Sequence, residues 1–127
     1  MTERTEESVG NLGYHAHIYF DPEKTRGGAE RLCAALAAKF RVEVESLRDG
    51  PVGPHPIANA LVIFKPDQFA QVVPYLMLHR DGLDILVHPL TSDAVEDHSH
   101  YAIWLGNPVK LRLHTLPHGR GGRLPSA

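Results

Sequence analysis

The chain has 127 residues, 43% hydrophobic and 22% charged, with a formal net charge of -2; this is the size and balance of one globular domain with a single core. No dense Lys or Arg run offers nucleic acid a basic face, and no apolar run approaches the roughly 20 residues that span a bilayer. Cys33 stands alone, so neither an internal disulfide nor a cysteine zinc site can form. The polar, acidic N-terminus has no apolar leader core, and the expected location is cytoplasmic.

In chain order, residues 1–12 read as a loose tail. Residues 14–20, rich in aromatic and β-branched side chains, predict a strand. Asp21-Pro22-Glu23 is a helix-start signal, and Leu32, Cys33, Leu36, Ala37 and Phe40 recur at helical spacing over residues 29–40. Residues 42–47 alternate as a strand. Residues 49–56 hold three prolines and two glycines and must be a loop. Residues 59–64 form a short apolar strand. Lys65-Pro66-Asp67 opens a second helix carrying Phe69, Val72, Val73, Leu76 and Met77 on one side, with Pro74 expected to kink or interrupt it. Gly82 stops that helix, and residues 83–87 predict a strand closed by His88-Pro89. Residues 101–106 and 109–113 are two further candidate short strands, and residues 117–127 read as a flexible tail.

The order β-α-β-β-α-β with a C-terminal extension predicts an α+β, ferredoxin-like antiparallel sheet with two helices on one face. Residues 13–116 would form the single domain. Such a sheet leaves its other face open, to be covered by dimerisation or by the chain's own extension.

Histidine is the unusual quantity: nine residues, at 15, 17, 55, 79, 88, 98, 100, 114 and 118. Side chains alternate along a strand, so His15, His17 and Tyr19 share one face while Tyr14, Ala16, Ile18 and Phe20 share the other. The apolar set suits the helices, which leaves the histidines on the open face. Two residues along a strand separate Cα atoms by about 6.6 Å, close enough for both rings to lean onto one ion with bonds of about 2.0–2.1 Å. His88 falls on the same open face, with Asp84 and Leu86. His55 sits in Gly53-Pro54-His55-Pro56, where the flanking prolines hold the backbone in few conformations. His98 and His100 lie in an unassigned loop, and their direction does not follow from the pattern. His79, His114 and His118 occupy helix-end or tail positions with no such company. Cys33 belongs to the apolar helix stripe as an inert buried thiol.

Tyr14-His15-Ala16-His17-Ile18-Tyr19-Phe20-Asp21, Gly53-Pro54-His55-Pro56, Leu86-Val87-His88-Pro89-Leu90-Thr91, and Asp97-His98 with Ala102-Ile103-Trp104-Leu105-Gly106 together resemble the DOPA 4,5-dioxygenase family. These are small extradiol enzymes that cleave aromatic rings, and the resemblance covers residues 14–113 with the motifs in the family's order. It implies a dimeric ferredoxin-like domain that opens a catechol beside its two hydroxyls, using O₂ and non-haem Fe(II). It assigns His17, His55 and His88 as metal ligands, His15 as ligand or proton shuttle, and His98 as an acid/base group. A carboxylate ligand, as in the two-histidine facial triad, would have to come from Glu45, Asp84, Asp93 or Asp97. An all-histidine site would suit zinc or another divalent ion as well as iron.

Two other functions use the same residues. One is a dimeric module that binds a metal or ligand without catalysis. The other is a cofactor-free small enzyme, a monooxygenase or isomerase, in which histidines serve as acid/base groups.

Overall fold

A computed structural model describes residues 10–126; most of the expected N-terminal tail, residues 1–9, and the final residue lie outside the described residues. The strands are β1 (Tyr14–Tyr19), β2 (Val42–Val44), β3 (Asn59–Phe64), β4 (Ile85–Pro89) and β5 (Ile103–Leu105). The helices are α1 (Arg26–Lys39), α2 (Phe69–His79) and the short α3 (Ala94–Asp97). The sheet runs β2-β3-β1-β4-β5 with every neighbouring pair antiparallel. Its first four strands make the expected ferredoxin-like α+β arrangement, and β5 extends it beyond β4.

Alternation decides the layers. Ala16 and Ile18 of β1, Ala60, Val62 and Phe64 of β3, and Ile85 and Val87 of β4 all join one buried cluster. Ala29, Leu32, Cys33 and Leu36 of α1 and Val72, Val73 and Leu76 of α2 complete it. Both long helices therefore lie on one face, and burying seventeen side chains there is the main source of stability. Among the described residues, no helix is long and apolar enough to cross a membrane.

Several local expectations shift for physical reasons. α1 begins at Arg26 rather than at Pro22, because Asp21 closes a turn of its own. Its carbonyl accepts from Lys24 and Thr25 N–H, and its carboxylate accepts from Glu23 N–H. Pro74 does not interrupt α2, which runs unbroken from Phe69 to His79; the buried Val72, Val73 and Leu76 hold it on the core despite the one missing N–H. β2 is shorter than predicted because a bulge follows it. Val44 faces Val62 but Arg48 faces Asn59, four steps on one strand against three on the other. β4 starts two residues late and carries His88 inside the strand. Residues 109–113 are not a strand; Arg112 N–H instead donates to the Pro54 carbonyl at 2.8 Å, tying this segment to the loop that carries His55.

The open face of the sheet is covered by the chain itself. The 49–56 loop comes from one side, and the segment after β4 from the other. Residues 117–126, read from composition as a flexible tail, run back across β1: Arg123 meets His15, and Pro125 lies against Gly13.

Candidate metal centre

Five histidines converge on this covered face. His15 and His17 project from β1, and His88 from β4, where it pairs directly with His15 across the ladder. His55 is delivered by the proline-bounded loop, which closes on itself through paired Val52–His55 backbone hydrogen bonds. His98 caps the C-terminus of α3. His15, His17, His55 and His88 are each no more than 5% exposed. Ring centroids lie 3.9 Å apart for His17 and His55, 5.2 Å for His17 and His88, and 4.0 Å for His88 and His98.

The partners of the rings fix where their protons sit. His88 Nδ1 lies 2.8 Å from the Pro89 carbonyl, which can only accept, so Nδ1 carries the hydrogen and Nε2 the lone pair. Asn59 donates through Nδ2 to the Ile57 carbonyl, which turns Oδ1 toward His17 Nδ1 at 3.2 Å. His17 therefore also donates from Nδ1 and keeps its lone pair on Nε2. His98 donates from Nδ1 to the Ala94 carbonyl at 2.7 Å. His15 is reversed, donating from Nε2 to the Arg123 carbonyl at 2.7 Å. His55 Nδ1 alone of the five meets a group that both donates and accepts, the Tyr19 hydroxyl at 2.7 Å.

The consequence is an electron-rich pocket. His17 Nε2 and His88 Nε2 face each other at 3.2 Å with no hydrogen between them. Two buried lone pairs at that separation repel unless a cation lies between them. The distance matches an edge of a coordination shell with bonds of ~2.0–2.1 Å. A proton is a poor occupant, because burial, followed by the neighbouring histidines, holds both rings well below the usual imidazole pKa. Burial likewise lowers His15 to about 4 and His55 to about 3, and it depresses His98. Neutral imidazole is the form that ligates metals.

Two trios bring one ligand atom from each residue within 4.8 Å of the others: His15, His17 and His88, and His17, His55 and His98. Both contain His17. The trio expected from sequence, His17, His55 and His88, is divided between them. No carboxylate joins either group among the described residues. Glu45 accepts from Arg123 Nε at 3.0 Å, Asp84 from Asn107 N–H at 2.8 Å, and Asp93 caps α3 through Glu96 N–H. Asp97 accepts from both the N–H and hydroxyl of Thr91. His100 pairs with Glu96 at the surface and stays outside the cluster. A cavity of about 130 Å³ adjoins His17 and His55, lined also by Asn59, Leu61, Val52 and Arg48.

Sequence reasoning missed Asn59 and Arg123. Asn59 opens β3 directly opposite Tyr19, so the same alternation that placed Tyr19 on the histidine face would have found it. Arg123 acts through its backbone carbonyl, and no residue-type pattern signals that.

The fold and cluster define an α+β domain with a buried polyhistidine centre able to hold a metal ion. Residues 14–115 match the model of the Dopa 4,5-dioxygenase family, and the chain belongs to that family. It is 32% identical over 117 residues to a DOPA 4,5-dioxygenase of Amanita muscaria, covering 82% of this chain and 49% of that protein. It is 34% identical over 114 residues to an uncharacterised 21.2 kDa protein of Botryotinia fuckeliana, covering 79% and 61%. The chain thus spans about half to three fifths of the length of these curated relatives. The crystal structure of a candidate dioxygenase from Nostoc punctiforme superposes with a TM-score of 0.83 at 45% identity, covering 89% of this chain and 96% of the other.

Proposed function

We propose that the chain is an extradiol-type dioxygenase that opens a catechol ring with O₂ at a metal held by His15, His17 and His88. The observation that carries this reading is the facing pair of lone pairs on His17 and His88, set by hydrogen bonds to Asn59 and Pro89. All three ligands stand on adjacent strands of one sheet, which is rigid support for a coordination site. Fe(II) is the ion suited to this chemistry, and zinc would fit the same all-nitrogen donors. When bound, the ion would acidify the catechol hydroxyls and bring O₂ beside the ring.

The other histidines handle protons. His55 gives or takes a proton at Nε2, and the Tyr19 hydroxyl holds its ring through Nδ1, as donor when that nitrogen carries the lone pair and as acceptor when it carries the hydrogen. His98, with Nδ1 committed to Ala94, presents Nε2 as an acceptor beside His88. The substrate ring lies in the cavity next to His17 and His55, against Leu61 and Val52. Of the two roles the family resemblance leaves to His15, this takes the ligand role, and it moves His55 from ligand to acid/base group.

The test is anaerobic loading with Fe(II), addition of a catechol such as L-DOPA or caffeate, and admission of air. A yellow ring-opened product is expected from the wild-type chain and from neither His17→Ala nor His88→Ala. His15→Ala should bind metal measurably but more weakly, whereas His55→Ala should retain metal and lose turnover. Full turnover by His17→Ala or His88→Ala would sink the metal-centre reading. Metal bound without turnover of any catechol would favour the non-catalytic module.

A further inference from the structure

The family match ends at residue 115, and the chain beyond it returns over the metal centre. It is fastened on the β4–α3 side first, where Ala94 N–H donates to the Gly119 carbonyl at 2.7 Å and Arg120 Nη1 to the Leu90 carbonyl at 2.9 Å. On the β2 side, Arg123 spans two carboxylates, reaching Glu45 through Nε and Glu43 through Nη1, both at 3.0 Å. Ser126 adds its N–H to Glu43 at 2.7 Å and its hydroxyl at 3.0 Å. Between these fastenings the backbone crosses His15.

Two features at the crossing concern His15 directly. The Arg123 carbonyl takes the Nε2 hydrogen at 2.7 Å, so the lone pair that His15 can offer is on Nδ1, the reverse of His17 and His88. Gly122 has φ +79°, and a Cβ there would stand 2.9 Å from His15 Cε1. A side chain at 122 would both strain the backbone and push the ring. The absence of a side chain lets the strap lie directly on the imidazole.

We infer that residues 119–126 are a positioning strap for His15, in which the Arg123 carbonyl selects the ring nitrogen available to the metal and the Arg123–Glu43–Glu45 ion pairs hold that carbonyl in place. The inference rests on His15 being a ligand. Hydrogen bonds to the outer nitrogen of a ligating histidine orient the ring, and their loss weakens metal affinity by about 10–100-fold. The strap supplies that outer partner for His15, as Asn59 does for His17 and Pro89 for His88.

The experiment loosens the strap in the full chain with Glu43→Gln/Glu45→Gln, changes at an exposed sheet edge that leave the core untouched. Imidazole ¹⁵N–¹H spectra of the metal-free protein should place the His15 hydrogen on Nε2, and its exchange with water should quicken at least tenfold in the double variant. Co(II) affinity should fall about tenfold or more. In a His15→Ala background the same double change should leave Co(II) affinity unaltered, because the effect passes through His15. Gly122→Ala, which keeps the ion pairs, should weaken Co(II) in the wild-type background alone. Equal losses with and without His15, or a hydrogen found on Nδ1, would overturn the strap. If the wild-type chain bound no Co(II), the metal reading would fail. The exchange measurement would then decide the strap by itself: quickened exchange supports it, and unchanged exchange overturns it.

Discussion

The Tyr19 hydroxyl stands 2.7 Å from His55 Nδ1 and joins the end of β1 to the loop that crosses the sheet. The Tyr19 ring also stacks on Trp104 at 5.8 Å, while the His55 ring lies 3.9 Å from that of His17. Burial raises the phenol pKa above its usual value, so the hydroxyl keeps its proton and can donate or accept. Tyr19→Phe preserves the stack and removes the partner that orients His55. We expect kcat to fall about tenfold or more, from the loss of part of an acid/base contribution, with metal content unchanged. Turnover measured beside metal analysis distinguishes this from a general loss of structure.

Asn59 performs for His17 what a carboxylate or carbonyl does at many metal-bound histidines. It accepts the Nδ1 hydrogen and so sends the Nε2 lone pair inward. Asn59→Leu, of similar volume, removes the acceptor and lets the ring turn or change tautomer. Metal affinity should fall about 10–100-fold, and titration with Co(II) reads it. Unchanged affinity would mean that His17 is oriented by packing alone.

The period-2 pattern of β1 made half of this centre readable from sequence. His15-Ala16-His17 can only alternate with the apolar Ala16 and Ile18, so the face bearing the histidines follows once the helices are placed. The face of His88 is readable for the same reason, but its pairing with His15 depends on the β1–β4 register, which the pattern leaves open. His98 was not readable, because its direction depends on α3, a single turn set by the Asp93 cap and by contacts distant in sequence. The strap was unreadable for a different reason. A stretch rich in Gly, Arg and Pro carries no periodicity, and its order comes from Glu43 and Glu45, about 80 residues away in the chain.

Asp97 was a candidate ligand from sequence and has a different task in the structure. It is 1% exposed, and its two oxygens accept the Thr91 N–H at 3.0 Å and the Thr91 hydroxyl at 2.5 Å. These bonds hold the turn after β4 against α3, and so fix the helix end that carries His98. Asp97→Asn can keep its oxygen on the Thr91 N–H but turns an amide toward the Thr91 hydroxyl, whose buried hydrogen loses its acceptor, with a cost of about 2 kcal/mol in unfolding free energy. Urea denaturation should show that loss, while metal stoichiometry at saturating metal stays at the wild-type value.

The buried histidines also set the direction of pH dependence in the metal-free protein. His15 is depressed to about 4 and His55 to about 3, both chiefly by burial, while an unfolded histidine titrates near 6.5. Below pH 6.5 the unfolded chain takes up protons that the folded chain refuses, so acid favours unfolding. Stability is therefore complete above about pH 6.5 and falls as pH drops toward 4 for His15 and toward 3 for His55. The slope is at most about 1.4 kcal/mol per pH unit for each histidine. Thermal or urea unfolding of the metal-free chain between pH 8 and pH 4 should follow this slope. His15→Gln, which cannot be protonated, should flatten it between 6.5 and 4, and an unaltered slope would show that His15 does not bear the penalty.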